Sequence, residues 1–224
     1  YVRRIKVEGN TKTRDGVIRR ELRQMEGSLL TTDKINRSRI RLQRLGYFQD
    51  VNIETPAVPG APDQVDVNVS VTERSLGTLT AAVGFSQVQG LLLSASITQD
   101  NFLGSGKRIS AEINNSRINT VYSFGYTNPY YTDDGVSRGF RGFFRKTNAA
   151  RLNVGSFTSD VFGAGVNYGF PLSEHDTGRL SLDYENTSIK TTASTPQSYI
   201  DFINANTDTF DIIKLSLGWS HDTR

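Results

Sequence analysis

Histidine occurs twice and cysteine not at all in the 224 residues, which narrows the available chemistry at once. Without cysteine there is no disulfide framework, no thiol nucleophile and no zinc-thiolate site. A Ser-His-Asp arrangement must draw on His175, in the turn Ser173-Glu174-His175-Asp176, or on His221, within the closing run Trp219 to Arg224. Neither has a nucleophile elbow nearby, and neither spacing is that of metal ligands. Both read as surface histidines, so the expectation is a protein that is not an enzyme and has no catalytic residue, cofactor or metal. What remains able to act is charge, ring surface and the backbone's own donors and acceptors.

Three stretches concentrate those means. Arg19, Arg20, Glu21, Arg23 and Glu26 form a dense run of both signs, which reads either as a solvated helix face with i, i+4 pairing or as a docking surface for a partner. Gln99-Asp100-Asn101-Phe102-Leu103-Gly104-Ser105-Gly106 interrupts two apolar alternations. Thr127 to Gly139 (TNPYYTDDGVSRG) does the same, with Tyr122, Phe124 and Tyr126 before it and Val136, Arg138, Phe140, Gly142 and Phe144 after it. In the latter, Asn128-Pro129-Tyr130-Tyr131 supplies a residue that cannot join a ladder and two amphipathic rings, and Asp134-Gly135 favours reversal. A soluble sandwich would accommodate such a hairpin; in a transmembrane barrel its rings would lie at the membrane interface.

The elements that carry these stretches fall into two parts. Hydrophobic residues make up 36% of the chain, mean hydropathy is −0.41, and no apolar run reaches the ~18 residues of a spanning helix, whereas a membrane barrel leaves only an alternating signal. Residues 1–75 hold 14 Lys and Arg against 10 Asp and Glu, and residues 76–224 hold 12 against 13, giving +4 and −1 of the total +3. The basic side chains sit beside acids and are not interleaved with aromatics, which argues against nucleic acid despite an isoelectric point near 9.2. Tyr1 to Val7 is strand-like from the first residue and the last residues follow directly on an apolar alternation, so a piece of a longer protein without a signal peptide is expected.

Residues 1–75 read as strand, helix, helix, strand, strand. Val2 to Val7 alternates and Gly9-Asn10 ends it. Thr13 is placed to cap a helix carrying Ile18, Leu22 and Met25 on one face, with Gly27 as its stop; Asp33 is placed to cap a second, carrying Ile35, Leu42 and Leu45, with Gly46 closing it. Gln49 to Thr55 and Gln64 to Glu73 alternate strictly, with Val51 and Ile53, then Val65 to Val71, on the buried face. The expectation is a small α+β unit with both helices on one face of a three-stranded sheet. Gln49 to Thr55 is an edge where an extended peptide can add at Val51 and Ile53, or an edge that simply stays in water.

After Arg74 the period turns to two. Leu79, Ala81, Val83 and Phe85 lead a strand, and seven more alternate alike: Leu91 to Gln99, Ile109 to Asn115, Thr120 to Thr127, Ser137 to Arg145, Val161 to Phe170, Leu180 to Ser188 and Phe210 to Ser220. Apolar residues hold one face; glycines and charges hold the other, which fits a wide polar lumen. With the front unit periplasmic and the first strand running outward, the two longest connections, Lys146 to Asp160 and Ile189 to Thr209, both fall outside, as bacterial barrels show. The second contains Pro196 to Ile203, which could form a short surface helix.

The βααββ order, with Gly9-Asn10, Leu45-Gly46-Tyr47-Phe48 and the closing Thr72-Glu73-Arg74, resembles a POTRA domain. With the two turn motifs at Asp100, Asn101, Phe102 and Gly104 and at Asn128, Pro129, Tyr130, Asp134 and Gly135, the whole chain resembles the outer-membrane β-barrel assembly factors. The resemblance implies a last POTRA domain (1–75) in the periplasm, then the N-terminal half (76–224) of a sixteen-stranded antiparallel barrel in the bacterial outer membrane. It implies a lateral gate whose first strand is the one bearing Leu79, Ala81, Val83 and Phe85, and insertion of barrel proteins by strand templating there. The implied partners are lipoproteins of the assembly complex, docked near Arg19, Arg23 and Glu26, unfolded outer-membrane proteins and membrane lipid, with no nucleic acid. Two-partner secretion transporters, which are translocation pores of the same POTRA-barrel design, and TamA-like assembly factors are the alternatives. Arg138-Gly139-Phe140 looks like the superfamily's lumenal Arg-Gly-Phe motif, but lies in a strand just after a turn and is rejected as that motif.

Overall fold

The computed structural model describes residues 1–148, 157–173, 175–192 and 195–222. Glu174 and the centre of the expected outer loop, 149–156, thus lie outside the described residues, as do 193–194 and 223–224. The chain divides into two compact units: Tyr1–Leu76 with Asp100–Lys107, and Gly77–Gln99 with Arg108–Arg224.

In the first unit, β1 (Val2–Glu8) runs parallel to β4 (Ala61–Glu73), and β2 (Phe48–Glu54) pairs antiparallel on the other side of β4, giving the order β1-β4-β2. A two-residue strand β3 (Ala57–Val58) from the proline-rich loop adds to β4, a pairing absent from the sequence reading. Val51, Ile53, Val67, Val69 and Val71 are buried against Val17, Ile18, Ile35 and Leu42 of the helical layer, which closes one apolar core. Helix α2 (Thr32–Arg44) carries the expected stripe, but Asp33 is not its cap: it sits in the first turn and pairs with Arg37 at 2.9 Å.

Helix α1 (Asp15–Arg19) is much shorter than its periodicity predicts. Leu22 is buried as expected, yet Met25 is 65% exposed. The chain leaves the helix because Gln24, itself buried, serves the following coil: its Nε2 donates to Ser28 Oγ (2.7 Å) and Leu29 O (3.1 Å), and its Oε1 accepts from Thr31 N (3.2 Å). One buried side chain thereby satisfies backbone groups of the coil that follows. Thr13 makes no helix cap either; its hydroxyl accepts from Asn101.

The second unit is one antiparallel sheet of eight strands in sequence order: β5 (Gly77–Ser86), β6 (Gly90–Gln99), β7 (Arg108–Asn115), β8 (Asn119–Asn128), β9 (Ser137–Asn148), β10 (Phe157–Pro171), β11 (Asp176–Thr191) and β12 (Thr209–His221). Register fixes its two faces. Leu79, Ile97, Ala111, Phe124, Gly142, Ala164, Tyr184 and Ile213 succeed one another across the ladder, and the neighbouring row reads Thr78, Thr98, Ser110, Gly125, Arg141, Gly165, Asp183, Lys214. On the polar face Arg141 pairs with Asp183 (2.8 Å) and Lys214 with Glu185 (2.8 Å), while Lys190 and Asp160 pair at 2.6 Å on the opposite face, near the far ends of β10 and β11. A Cβ on Gly165 would lie 1.8 Å from Asp183 Oδ1, so that glycine makes room for the first pair. Helix α3 (Gln197–Ala205) forms where a short helix is expected, and Tyr199, Phe202 and Ile203 enclose with Phe157, Ile189 and Phe210 an apolar cavity of about 410 Å³.

Candidate functional site

The stretch 100–107, read from sequence as a barrel turn, belongs to the first unit. Asn101 is buried with a left-handed backbone (φ 51°) and works in both directions, its Nδ2 donating to Thr13 Oγ1 (2.8 Å) and its Oδ1 accepting from Gly106 N (2.7 Å). Gly104 O accepts from Arg14 N (3.0 Å), and Tyr47 OH donates to Gly106 O (3.1 Å). Gly104 has φ 69°, and a Cβ there would lie 1.9 Å from Lys12 O, so only glycine allows this approach. Phe102 keeps its ring partly exposed and Asp100 N donates to Leu76 O at 3.3 Å. The motif is a clasp on residues 12–14 rather than a free turn.

The same loop is held from the other side by Glu73, whose carboxylate accepts from Thr13 N (2.6 Å), Thr11 Oγ1 (2.8 Å) and Lys12 N (2.9 Å). Burial pushes this carboxyl up, but the donors of Thr13, Thr11 and Lys12 outweigh it and bring it down to about 2. Arg3 and Asp66 form a second pair, at 2.6 Å, across β1 and β4. The hydrogen bond from Arg3 lowers the Asp66 carboxyl and raises the guanidinium in return.

Arg19 and Glu26 share one location: the outer edge of β1. Glu26 Oε1 accepts from Ile5 N (2.7 Å), Arg19 Nη2 donates to Ile5 O (3.0 Å), and the two side chains lie 3.8 Å apart. Gly27 and Ser28 bind Val2 O and N in the same way, at 2.8 and 3.0 Å. Arg23 and Glu26 are not helical, since α1 ends at Arg19; the Arg23 amide donates to Ser38 Oγ at 2.8 Å. The expected docking helix is therefore a helix end plus coil that seals a sheet edge. Val51 and Ile53 lie on β2, at the opposite end of the sheet, with their side chains in the core.

Strand β5 ends the eight-stranded sheet, paired with β6 from Gly77↔Gln99 to Ser86↔Gly90. Leu79, Val83 and Phe85 are 75–78% exposed, and the smaller Ala81 lies on the same face. The opposite face is Thr78, Thr80, Ala82 and Gly84, side chains too small to hold a neighbouring strand by packing.

In the hairpin between β8 and β9, Asn128 Oδ1 accepts from Tyr130 N (3.2 Å), Tyr131 N donates to Val136 O (2.8 Å), and Gly135 has the positive φ (84°) that reversal after Asp134 requires. Pro129 stands just past the end of β8, where a missing donor costs nothing. Pairing of β11 with β12 brings His175 and His221 together, ring centres 6.1 Å apart, across a sequence gap that spacing rules do not see. His221 Nδ1 lies 2.8 Å from Asp176 Oδ1 and His175 Nδ1 lies 3.0 Å from Asp222 O, which ties the end of β12 to the turn before β11.

Residues 101–224 match the Omp85 superfamily domain, and residues 1–74 match POTRA, described as surface antigen variable number repeat. The chain is 37% identical over 232 residues to the outer membrane protein assembly factor BamA of Neisseria meningitidis serogroup B, covering 99% of this chain and 29% of that protein. It is 32% identical over 178 residues to the BamA of Nitratidesulfovibrio vulgaris, covering 79% of this chain and 22% of that one. Among solved structures it is similar to BamA from Haemophilus ducreyi lacking POTRA domains 1–3, with a TM-score of 0.77, 33% identity, and 100% and 44% of the two chains covered. CdiB from Escherichia coli shares the fold, with a TM-score of 0.61 at 14% identity, covering 97% of this chain and 41% of that one. The chain thus spans less than a third of the curated relatives it matches.

Proposed function

The chain belongs to the Omp85 superfamily, and from that premise we propose that it carries the last POTRA domain and the first eight barrel strands of an outer-membrane protein assembly factor. The sheet lies in the bacterial outer membrane with its apolar face to lipid, and the first unit lies in the periplasm. The observation that carries the reading is β5: an apolar strand with small residues on its other face, paired on one side only among the described strands.

An unfolded outer-membrane strand cannot enter lipid with its backbone groups unpaired, since each costs several kcal/mol there. The free edge of β5 offers those groups a ladder, and its small side chains Thr78, Ala82 and Gly84 give a closing strand little to grip. Templating needs geometry and hydrogen bonds, and no catalytic residue. Upstream, the β2 edge at Val51 and Ile53 receives extended segments of substrate. The surface around Arg19, Arg23 and Glu26 receives a lipoprotein of the assembly complex, with charges of both signs setting its orientation.

The test uses the complete parent protein in liposomes with its partner lipoproteins, following membrane insertion of an unfolded barrel substrate. A disulfide joining β5 at Ala81 to the last barrel strand is expected to cut the insertion rate at least tenfold, with recovery on reduction. Insertion that proceeds unchanged under the lock removes β5 from the mechanism. Passage of a soluble extended substrate across the membrane, with no barrel insertion, replaces assembly with secretion.

A further inference from the structure

Arg141 and Lys214 on the polar face of the sheet, and Lys190 on the other, each have a carboxylate partner. Arg138 does not. It is the second residue of β9, and its cross-strand neighbours Tyr168 and Asn128 place it in the row of Phe170, Val166 and Phe140, on the apolar face at the inner end of the sheet. Its guanidinium carbon lies 3.7 Å from the centre of the Tyr131 ring and 5.0 Å from that of Phe140. Tyr131 in turn meets Tyr168 edge-on at 6.4 Å, and Tyr168 stacks on Phe170 at 6.3 Å. Nε is enclosed without a hydrogen-bond partner, and no carboxylate among the described residues pairs with the group, although Asp133 and Asp134 stand exposed in the adjoining turn.

A permanent cation on a lipid-facing row is costly unless an anion meets it. Two ring faces fix the plane of this one, and cation–π attraction offsets part of its desolvation. With Nε enclosed, the terminal N–H fork is the part of the group left to meet an anion, and such a fork has the geometry that two phosphate oxygens accept. The surrounding rings set the depth, because aromatic side chains of a barrel collect at the level of the lipid headgroups. Charge, fork shape and depth agree on a single occupant.

We propose that Arg138, clamped between Tyr131 and Phe140, is a binding site for the phosphate of a phospholipid headgroup in the inner leaflet. The proposal rests on the barrel reading given above, and not on assembly activity. A lipid held there would sit beside the Asn128–Val136 hairpin and order the membrane boundary around β8–β10.

The experiment takes the full-length parent protein, purified in detergent and stripped of lipid, and titrates it with a phosphatidylglycerol while native mass spectrometry counts retained lipids. Arg138→Leu is expected to weaken the tightest lipid about tenfold, Arg138→Lys two- to threefold because the fork is lost and the charge kept, and Tyr131→Ala about threefold through loss of the clamp. Tyr131→Ala keeps the question answerable should Arg138→Leu fail to fold, and heat-modifiable migration reports folding of every variant. Folded variants that retain lipid like the parent overturn the proposal while leaving the barrel intact. Displacement of the lipid by millimolar inorganic phosphate makes the site one for free anions and overturns it too. A parent protein that forms no barrel in bilayers fails at the earlier step instead.

Discussion

Glu73 shows how much of the first unit hangs on single side chains. Its carboxylate ends β4 and holds the loop Thr11–Thr13 by three donors, the same loop that Asn101 and Gly104 clasp. Its folded pKa of about 2 lies below the usual 4.5 of a glutamate. A depressed carboxyl contributes stability that is fully present above its unfolded pKa and is lost as pH falls through the folded one. Unfolding of the full chain by denaturant is therefore expected to grow easier between about pH 5 and pH 2, and Glu73→Gln should flatten that dependence. Because the group is only partly buried, solvent screening reduces the full linkage, and a loss of about 1–2 kcal/mol at pH 7 is expected for the variant. A variant with the same acid slope as the parent would assign the slope to other carboxylates, Asp66 first. None of this was legible locally. Thr13 sits where a helix cap belongs by sequence, yet its partners are Glu73 and Asn101, 60 and 88 positions away. Arg138 was legible as a strand residue and as a false motif, but its ring clamp depends on the fold of the hairpin before it.

At the scale of elements, period-two segments were read well and helices less well, for a physical reason. A strand in a membrane-type sheet shows its alternation in full because each face meets a different medium, so the eight segments stand where the alternation put them. They are longer than the reading at one end or both, as with Phe157–Pro171 and Asp176–Thr191, since their outer ends carry polar residues that blur the pattern. The helix after Thr13 fails differently. Ile18 and Leu22 are buried at helical spacing, but a turn and coil deliver Leu22 to the core, and the signal against helix is a buried glutamine that propensity does not weigh. Gln24→Leu keeps the volume and removes partners for Leu29 O and Thr31 N. The variant should lose about 2–3 kcal/mol in denaturant midpoint analysis, while Met25→Ala, at an exposed position, should change stability by less than about 0.5 kcal/mol. Equal losses from the two would mean that the helix continues through Met25 in solution.

For the whole molecule the governing contrast is between edges that are covered and edges that are not. In the first unit, the β1 edge is sealed by Arg19, Glu26, Gly27 and Ser28 against Val2 and Ile5. The eight-stranded sheet runs from β12 to β5 without those two strands pairing, so its ladder ends in two unpaired rows of backbone groups among the described strands. Side-chain charge, the common guard of a sheet edge, is absent from Gly77–Ser86. Such rows pair with whatever presents a complementary row, and in a solution of residues 1–224 alone the available partner is a second copy. Light scattering on this polypeptide refolded in detergent should therefore give dimers or larger species down to low micromolar concentration. A disulfide-capable Cys pair introduced on β5 of two copies, at Ala81, should trap that contact. Adding in trans the strands that complete the barrel in the full-length parent should dissolve the self-association, because closure removes both edges together. A monodisperse monomer at all concentrations would mean that β5 and β12 find each other within one chain. The open edge would then be no property of β5, and strand templating would have to be driven by an opening force acting on a closed seam.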